Sequence, residues 1–119
     1  MNSISLNLLV IRSSDIEKSC TFYTALGLQF SKEKHGDGPE HYACVLGSTV
    51  VEIYPRKNMS GKLPGVSAMF GFRVPSIESA IESIKKLGAE MVVSPHETTS
   101  SGQYAVLRDP DGHRVHISE

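Results

Sequence analysis

Tryptophan is absent from this 119-residue sequence, and cysteine occurs twice. Cys20 and Cys44 make no metal-binding or redox spacing; one lies in a helical pattern and the other in an alternating one, so both read as buried free thiols. An excess of either charge is also missing. The net charge is −1 with a pI near 6.5, and Arg56, Lys57 and Lys62 read as solvated charges of a loop rather than a nucleic-acid stripe. Long hydrophobic runs are lacking. The short apolar run Leu6–Ile11, with Asn7 inside it, fits neither a signal peptide nor a membrane span, so the expectation is a cytoplasmic protein with no nucleic-acid or membrane partner. The chain has no glycine-rich phosphate loop, no nucleophile elbow and no Cys/His pair in catalytic context. Its length suits one domain with a core of its own.

What is present is a pattern that occurs twice. Leu6–Ile11 reads as a buried strand, and Ser14-Asp15-Ile16-Glu17 as a capping box that opens a helix with the apolar face Ile16, Cys20, Tyr23 and Leu26, closed by Gly27. Strands are expected over 28–34, 41–46 and 48–54, with turns at Gly36–Pro39 and Gly47-Ser48. Residues 56–65, rich in proline and glycine, read as a linker. The order then returns: a strand over 66–74, a helix capped by Ser76 with the face Ile77, Ala80, Ile81, Ile84 and Leu87 and closed by Gly88, a strand over 90–93, a polar loop over 94–102, and strands over 103–108 and 114–118.

A shift of 61 carries Ile11 to Phe72, Arg12 to Arg73, Ile16 to Ile77, Glu17 to Glu78, Leu26 to Leu87 and Gly27 to Gly88; it grows to 62 at Tyr42/Tyr104 and to 64 at Glu52/His116. Two copies of one unit follow, repeat 1 over 1–55 and repeat 2 over 66–119. The fold class is α+β: two βαβββ repeats that pair into a curved, incompletely closed eight-stranded sheet with helices on the outside.

The last twelve residues carry a turn with a mechanism. Pro110 fixes φ, Asp109 and Asp111 can bond back to the backbone, and Gly112 takes the conformation other residues avoid. This Asp-Pro-Asp-Gly hairpin, the run Ser14–Ser19 that opens the first helix, and Phe22-Tyr23 followed by Leu26-Gly27-Leu28 resemble the vicinal oxygen chelate superfamily, the fold of glyoxalases, bleomycin-resistance proteins and extradiol dioxygenases. The resemblance spans essentially the whole chain and implies a cup that binds a small molecule, often in a homodimer whose cups are built from units of different chains.

In metal-dependent members the resemblance implies ligands on the first and last strands of each unit. Those positions fall on Leu8, Glu52, Met69 and His116, and 8 plus 61 gives 69 independently. Leucine has no lone pair to offer and a thioether favours soft ions, so only Glu52 and His116 remain where three protein ligands are the rule. No cofactor is expected, with a divalent metal on Glu52 and His116 as the alternative.

Strand parity then adds Leu6, Val10, Tyr54, Gly71, Arg73 and Arg114 to the cup, while Leu9, Ile11, Val51, Ile53, Phe70, Phe72, Val115 and Ile117 pack under the helices. The expected ligand-binding set is Leu8, Glu52, Tyr54, Met69, Arg73 and His116. Each has a plainer alternative: Glu52 and His116 paired with each other or with Arg73, Leu8 and Met69 as cavity filling, Arg12 and Arg73 as solvated strand ends. His35 and His41 read as rim residues, His113 faces away from His116, and Asp109 and Asp111 read as turn formers.

Two functions follow. One is a binding protein, like the bleomycin-resistance branch, that sequesters a small hydrophobic or planar compound without a typical metal centre. The other is a lyase, isomerase or dioxygenase in which Glu52 and His116 act as an acid–base pair or as partial metal ligands.

Overall fold

The computed structural model describes residues 3–56, 68–98 and 102–119. Repeat 1 holds β1 (Leu8–Ser13), α1 (Ile16–Leu26), β2 (Ser31–Glu33), β3 (His41–Leu46) and β4 (Thr49–Pro55). Repeat 2 holds β5 (Met69–Arg73), α2 (Ile77–Lys85), β6 (Met91–Thr98), β7 (Gly102–Arg108) and β8 (Arg114–Ser118). The expected linker at 56–65 lies, apart from Arg56, outside the described residues.

Each repeat forms a four-stranded sheet, in the orders β1-β4-β3-β2 and β5-β8-β7-β6. The first strand of each repeat runs parallel to the last, and the other pairings are antiparallel. The α+β class, the two repeats, the eight strands and the open sheet are as the sequence indicates. The eight strands divide into two sheets, and β1 and β5 each keep an edge with no strand beside it among the described residues.

Parity decides which face is buried. Ile11, Val51, Ile53, Val115 and Ile117 are at most 1% exposed, and with the helix residues Phe22, Tyr23, Ile77 and Ile84 they form one core shared by both repeats. Leu9, Phe70 and Phe72 pack against it. The helices therefore cover one face of each sheet, and the alternate residues are left on the other.

The local signals for the helices hold with shifts that have causes. Asp15, not Ser14, caps α1, accepting from the N–H groups of Glu17 and Lys18 at 3.1 Å. Ser14 is used instead on Asp111, giving it both its backbone N–H (2.8 Å) and its hydroxyl (2.7 Å). The buried face of α1 is Ser19, Phe22, Tyr23 and Leu26; Ile16 and Cys20 lie at its margin. The face turns because Ser19 is drawn inward, its hydroxyl 2.6 Å from that of Ser13. On α2 the expected face is buried except Leu87, which is 45% exposed beyond the last helical turn.

The strand expected over 28–34 shortens to three residues, although Leu28 is still buried. The polar loop expected over 94–102 is strand for most of its length. β6 continues to Thr98 with register shifts between Met91 and Val93 and between Val93 and His96, so bulges absorb Pro95 and carry the pairing with β7 onward. Cys44 is buried and Cys20 partly so; both are free.

Candidate functional site

The faces opposite the helices are the two walls of the expected cup. On the first sheet the parallel register sets Leu8 beside Val50, Val10 beside Glu52 and Arg12 beside Tyr54. Ala43 lies across from Glu52 and Val45 across from Val50. One end of this wall is apolar. The other end is a column of rings and charges: the Arg12 guanidinium carbon lies 5.4 Å from the Tyr54 ring centre, and Tyr54 stacks on His41 at 4.1 Å and 10°. The His35 ring follows at 5.1 Å.

On the second sheet Met69 lies beside Arg114, Gly71 beside His116 and Arg73 beside Ser118. His116 stacks on Tyr104 at 5.1 Å and 11°. A Cβ placed on Gly71 would meet nothing within 4 Å. Each wall thus carries a tyrosine–imidazole plate and an exposed arginine, Arg12 on one and Arg73 on the other.

Leu8 and Met69 stand on these walls half exposed, at 49% and 56%. Glu52 and Tyr54 are half-buried on the first wall; Arg73 and His116 are exposed and half-buried on the second. The six expected ligand-binding residues therefore divide three and three between the sheets. Glu52 and His116 share no ion pair. Glu52 lies 3.7 Å from His41 Nε2, and His116 is engaged with Tyr104.

His41 is the residue that sequence reasoning misplaced. It is 1% exposed and enclosed on the wall, not on the rim. Its Nδ1–H donates to the Pro39 carbonyl at 3.2 Å, and its Nε2 lies 3.3 Å from the Tyr54 hydroxyl. Parity contained the signal: His41 and Ala43 share a face, and Ala43 pairs with Glu52. His35 stays on the rim, with its side chain 73% exposed.

The closing turn is a joint between repeats. Asp109 is buried and accepts from the N–H groups of Asp111 and His113 at 2.9 Å, from the Tyr23 hydroxyl at 2.6 Å and from His113 Nδ1 at 2.8 Å. Asp111 reaches back to Ser14 and to Ser19, 3.2 Å away. The hydrogen bond to Asp109 raises the His113 pKa above its ordinary value, outweighing burial. Burial works to raise the Asp111 pKa, but the hydrogen bonds from Ser14, Ser13 and Ser19 together hold it below the usual carboxylate value. Burial, then the nearby Asp109 charge, pushes the Tyr23 phenol upward, so it remains a donor.

A cleft of about 620 Å³ lies away from both walls, between Glu17, Lys18, Thr21 and Phe22 of α1 and the turns around Gly88 and Pro110. It contains none of the stacked rings. A wall open to solvent encloses no volume, so cleft size does not locate the site in one chain. No helix among the described residues is long and apolar enough to cross a membrane.

Comparison with known proteins agrees with this fold. The family model for the Glyoxalase/Bleomycin resistance protein/Dioxygenase superfamily matches residues 5–117. No curated protein matches. Among solved structures, hypothetical protein SA1046 from S. aureus is similar at 20% identity and a TM-score of 0.73, over 97% of this chain and 96% of that one. TnmS3, described as an antibiotic binding protein from Streptomyces sp. CB03234, is similar at 19% identity and a TM-score of 0.72, over 99% and 97%. Virulence protein STM3117 from Salmonella typhimurium is similar at 25% identity and a TM-score of 0.66, over 99% and 98%.

Proposed function

The chain belongs to the Glyoxalase/Bleomycin resistance protein/Dioxygenase superfamily, and from that premise we propose that it binds and sequesters a small hydrophobic or planar compound in the cup, without the superfamily's usual metal centre. The observation that carries this reading is the composition of the two walls. Each offers a tyrosine–imidazole pair and an arginine beside apolar surface, and the positions that the sequence resemblance assigns to metal hold Leu8 and Met69. The half-buried Tyr104–His116 pair suits stacking with a planar ligand, and the arginines suit an anionic or polar edge. The likeness to TnmS3 is one of fold, yet that protein's antibiotic binding suggests the class of compound to try first.

The cup of this reading needs both walls, and we place its second wall on another copy of the chain. Leu6, Leu8, Val45 and Met69 are large exposed hydrophobics of the two walls or their edges, a concentration that favours association. Setting β1 of one copy against β5 of the other would join the two sheets and bring Glu52 and Tyr54 toward His116 and Arg73.

The reading is tested by titrating tag-free, chelator-treated protein with planar antibiotics and aromatic acids, following tyrosine fluorescence and melting temperature. Saturable binding without metal, weakened by Tyr54→Ala and by His116→Ala, is the expected result. No stabilisation by any compound defeats it. Binding that appears only with an added divalent ion moves the function to the lyase, isomerase or dioxygenase alternative through Glu52 and His116.

A further inference from the structure

On the first wall, two imidazoles and a carboxylate converge beside Glu52, and none of the three stands at a position that the resemblance assigns to metal. Glu33 ends β2, His41 begins β3 opposite it in the register, and His35 stands in the turn between them. Their ligand atoms lie within 4.8 Å of one another. Glu33 Oε1 is 3.3 Å from His35 Nε2 and 3.7 Å from His41 Nε2. Donors bound tetrahedrally at zinc–ligand distances stand about 3.4 Å apart, so the two edges involving Glu33 need little movement. We propose that Glu33, His35 and His41 bind one divalent transition-metal ion of the zinc class.

Three features support the site beyond proximity. The first is the tautomer of His41. Its Nδ1 donates to the Pro39 carbonyl, the outer-shell bond that typically orients a ligating imidazole, and its Nε2 is the nitrogen that lies 3.7 Å from Glu33. The second is charge. Glu52 Oε2 also lies 3.7 Å from His41 Nε2, so two carboxylates converge on one imidazole nitrogen. Glu33 with Glu52 balances the double positive charge of an ion held between them. The third is access. His41 is buried, but His35 is 73% exposed and Glu33 39%, which leaves an entry path and room for Glu52 or water as the fourth ligand. The Tyr54 hydroxyl, 3.3 Å from the same nitrogen, is the partner the ion displaces. Two nitrogen donors select zinc, cobalt or nickel over magnesium and calcium.

The inference does not depend on the cup having a ligand, and its test contains none. Tag-free protein, stripped by chelator, is titrated with zinc chloride by calorimetry and with cobalt chloride by visible absorption. The expected result is about one ion per chain with a tetrahedral cobalt spectrum. His35→Ala and Glu33→Gln, at exposed positions that leave the fold intact by circular dichroism, should each weaken binding by about tenfold or more. Absence of stoichiometric binding to the wild type overturns the site, as does binding that both variants retain at full strength.

Discussion

Asp109 shows what one side chain can hold together. Its carboxylate gathers two backbone N–H groups of its own turn, the phenol of Tyr23 from α1 and the imidazole of His113. A buried carboxylate without such donors would be costly, and here four satisfy it. The His113 bond has a pH signature. Because the folded pKa is raised, its contribution to stability is complete below the unfolded value of about 6.5 and is lost as pH rises through the folded pKa. Urea denaturation at a series of pH values should show the wild type losing its advantage over His113→Gln across that window. An advantage independent of pH would mean that His113 acts by packing alone. The sequence marked Asp109 and Asp111 as turn formers, which they are. That they also bind the other repeat was not legible, because Tyr23 and Ser14 are 86 and 97 residues away in the chain.

At the scale of elements, the two periods in the sequence carried most of the architecture. Alternation in Val115–Ile117 and Val51–Ile53 identified the faces under the helices, and those residues are buried. Helical spacing identified α2 almost completely. The misjudgements lie where a side chain found a distant partner. Ser14 left the cap position for Asp111, Ser19 turned α1 toward Ser13, and bulges let β6 run through a stretch that looked like loop.

Gly71 gives this scale its prediction. It lies in β5 with open space where a Cβ would stand, so its lack of a side chain serves the wall rather than the backbone. Gly71→Val should leave stability unchanged or raise it by up to about 1 kcal/mol, since valine favours strands. It should also weaken binding of whatever compound stabilises the wild type. A melting temperature and an affinity measured on the same variant check both halves; unchanged affinity would put the ligand elsewhere.

For the whole molecule the governing feature is the division into two sheets. One core unites the helix-side faces, while the opposite faces and the β1 and β5 edges are left without a strand partner among the described residues. An unpaired edge beside exposed Leu8 and Met69 is a surface prepared for association. We therefore expect sedimentation to give a dimer that dissociates on dilution, and Leu8→Asp to shift it to monomer while preserving helix and strand content. A wild type that stays monomeric at high concentration would confine each wall to acting alone.

By itself the sequence determined the two repeats, the class of each main element, the buried parity of the strands and the closing hairpin. All of these rest on interactions between near neighbours or on a period that survives without coordinates. Through its resemblance it also raised the expectation that Leu8 and Met69 stand at the superfamily's metal positions. Only the tertiary structure decided that the eight strands form two sheets, that the Asp-Pro-Asp-Gly turn ties repeat 2 to α1, and that His41 lies enclosed between Tyr54, Glu33 and Glu52. The reason is physical. Periodicity reports which face of an element is buried, whereas the partners on a face depend on strand order and register, and these are set by how the elements pack.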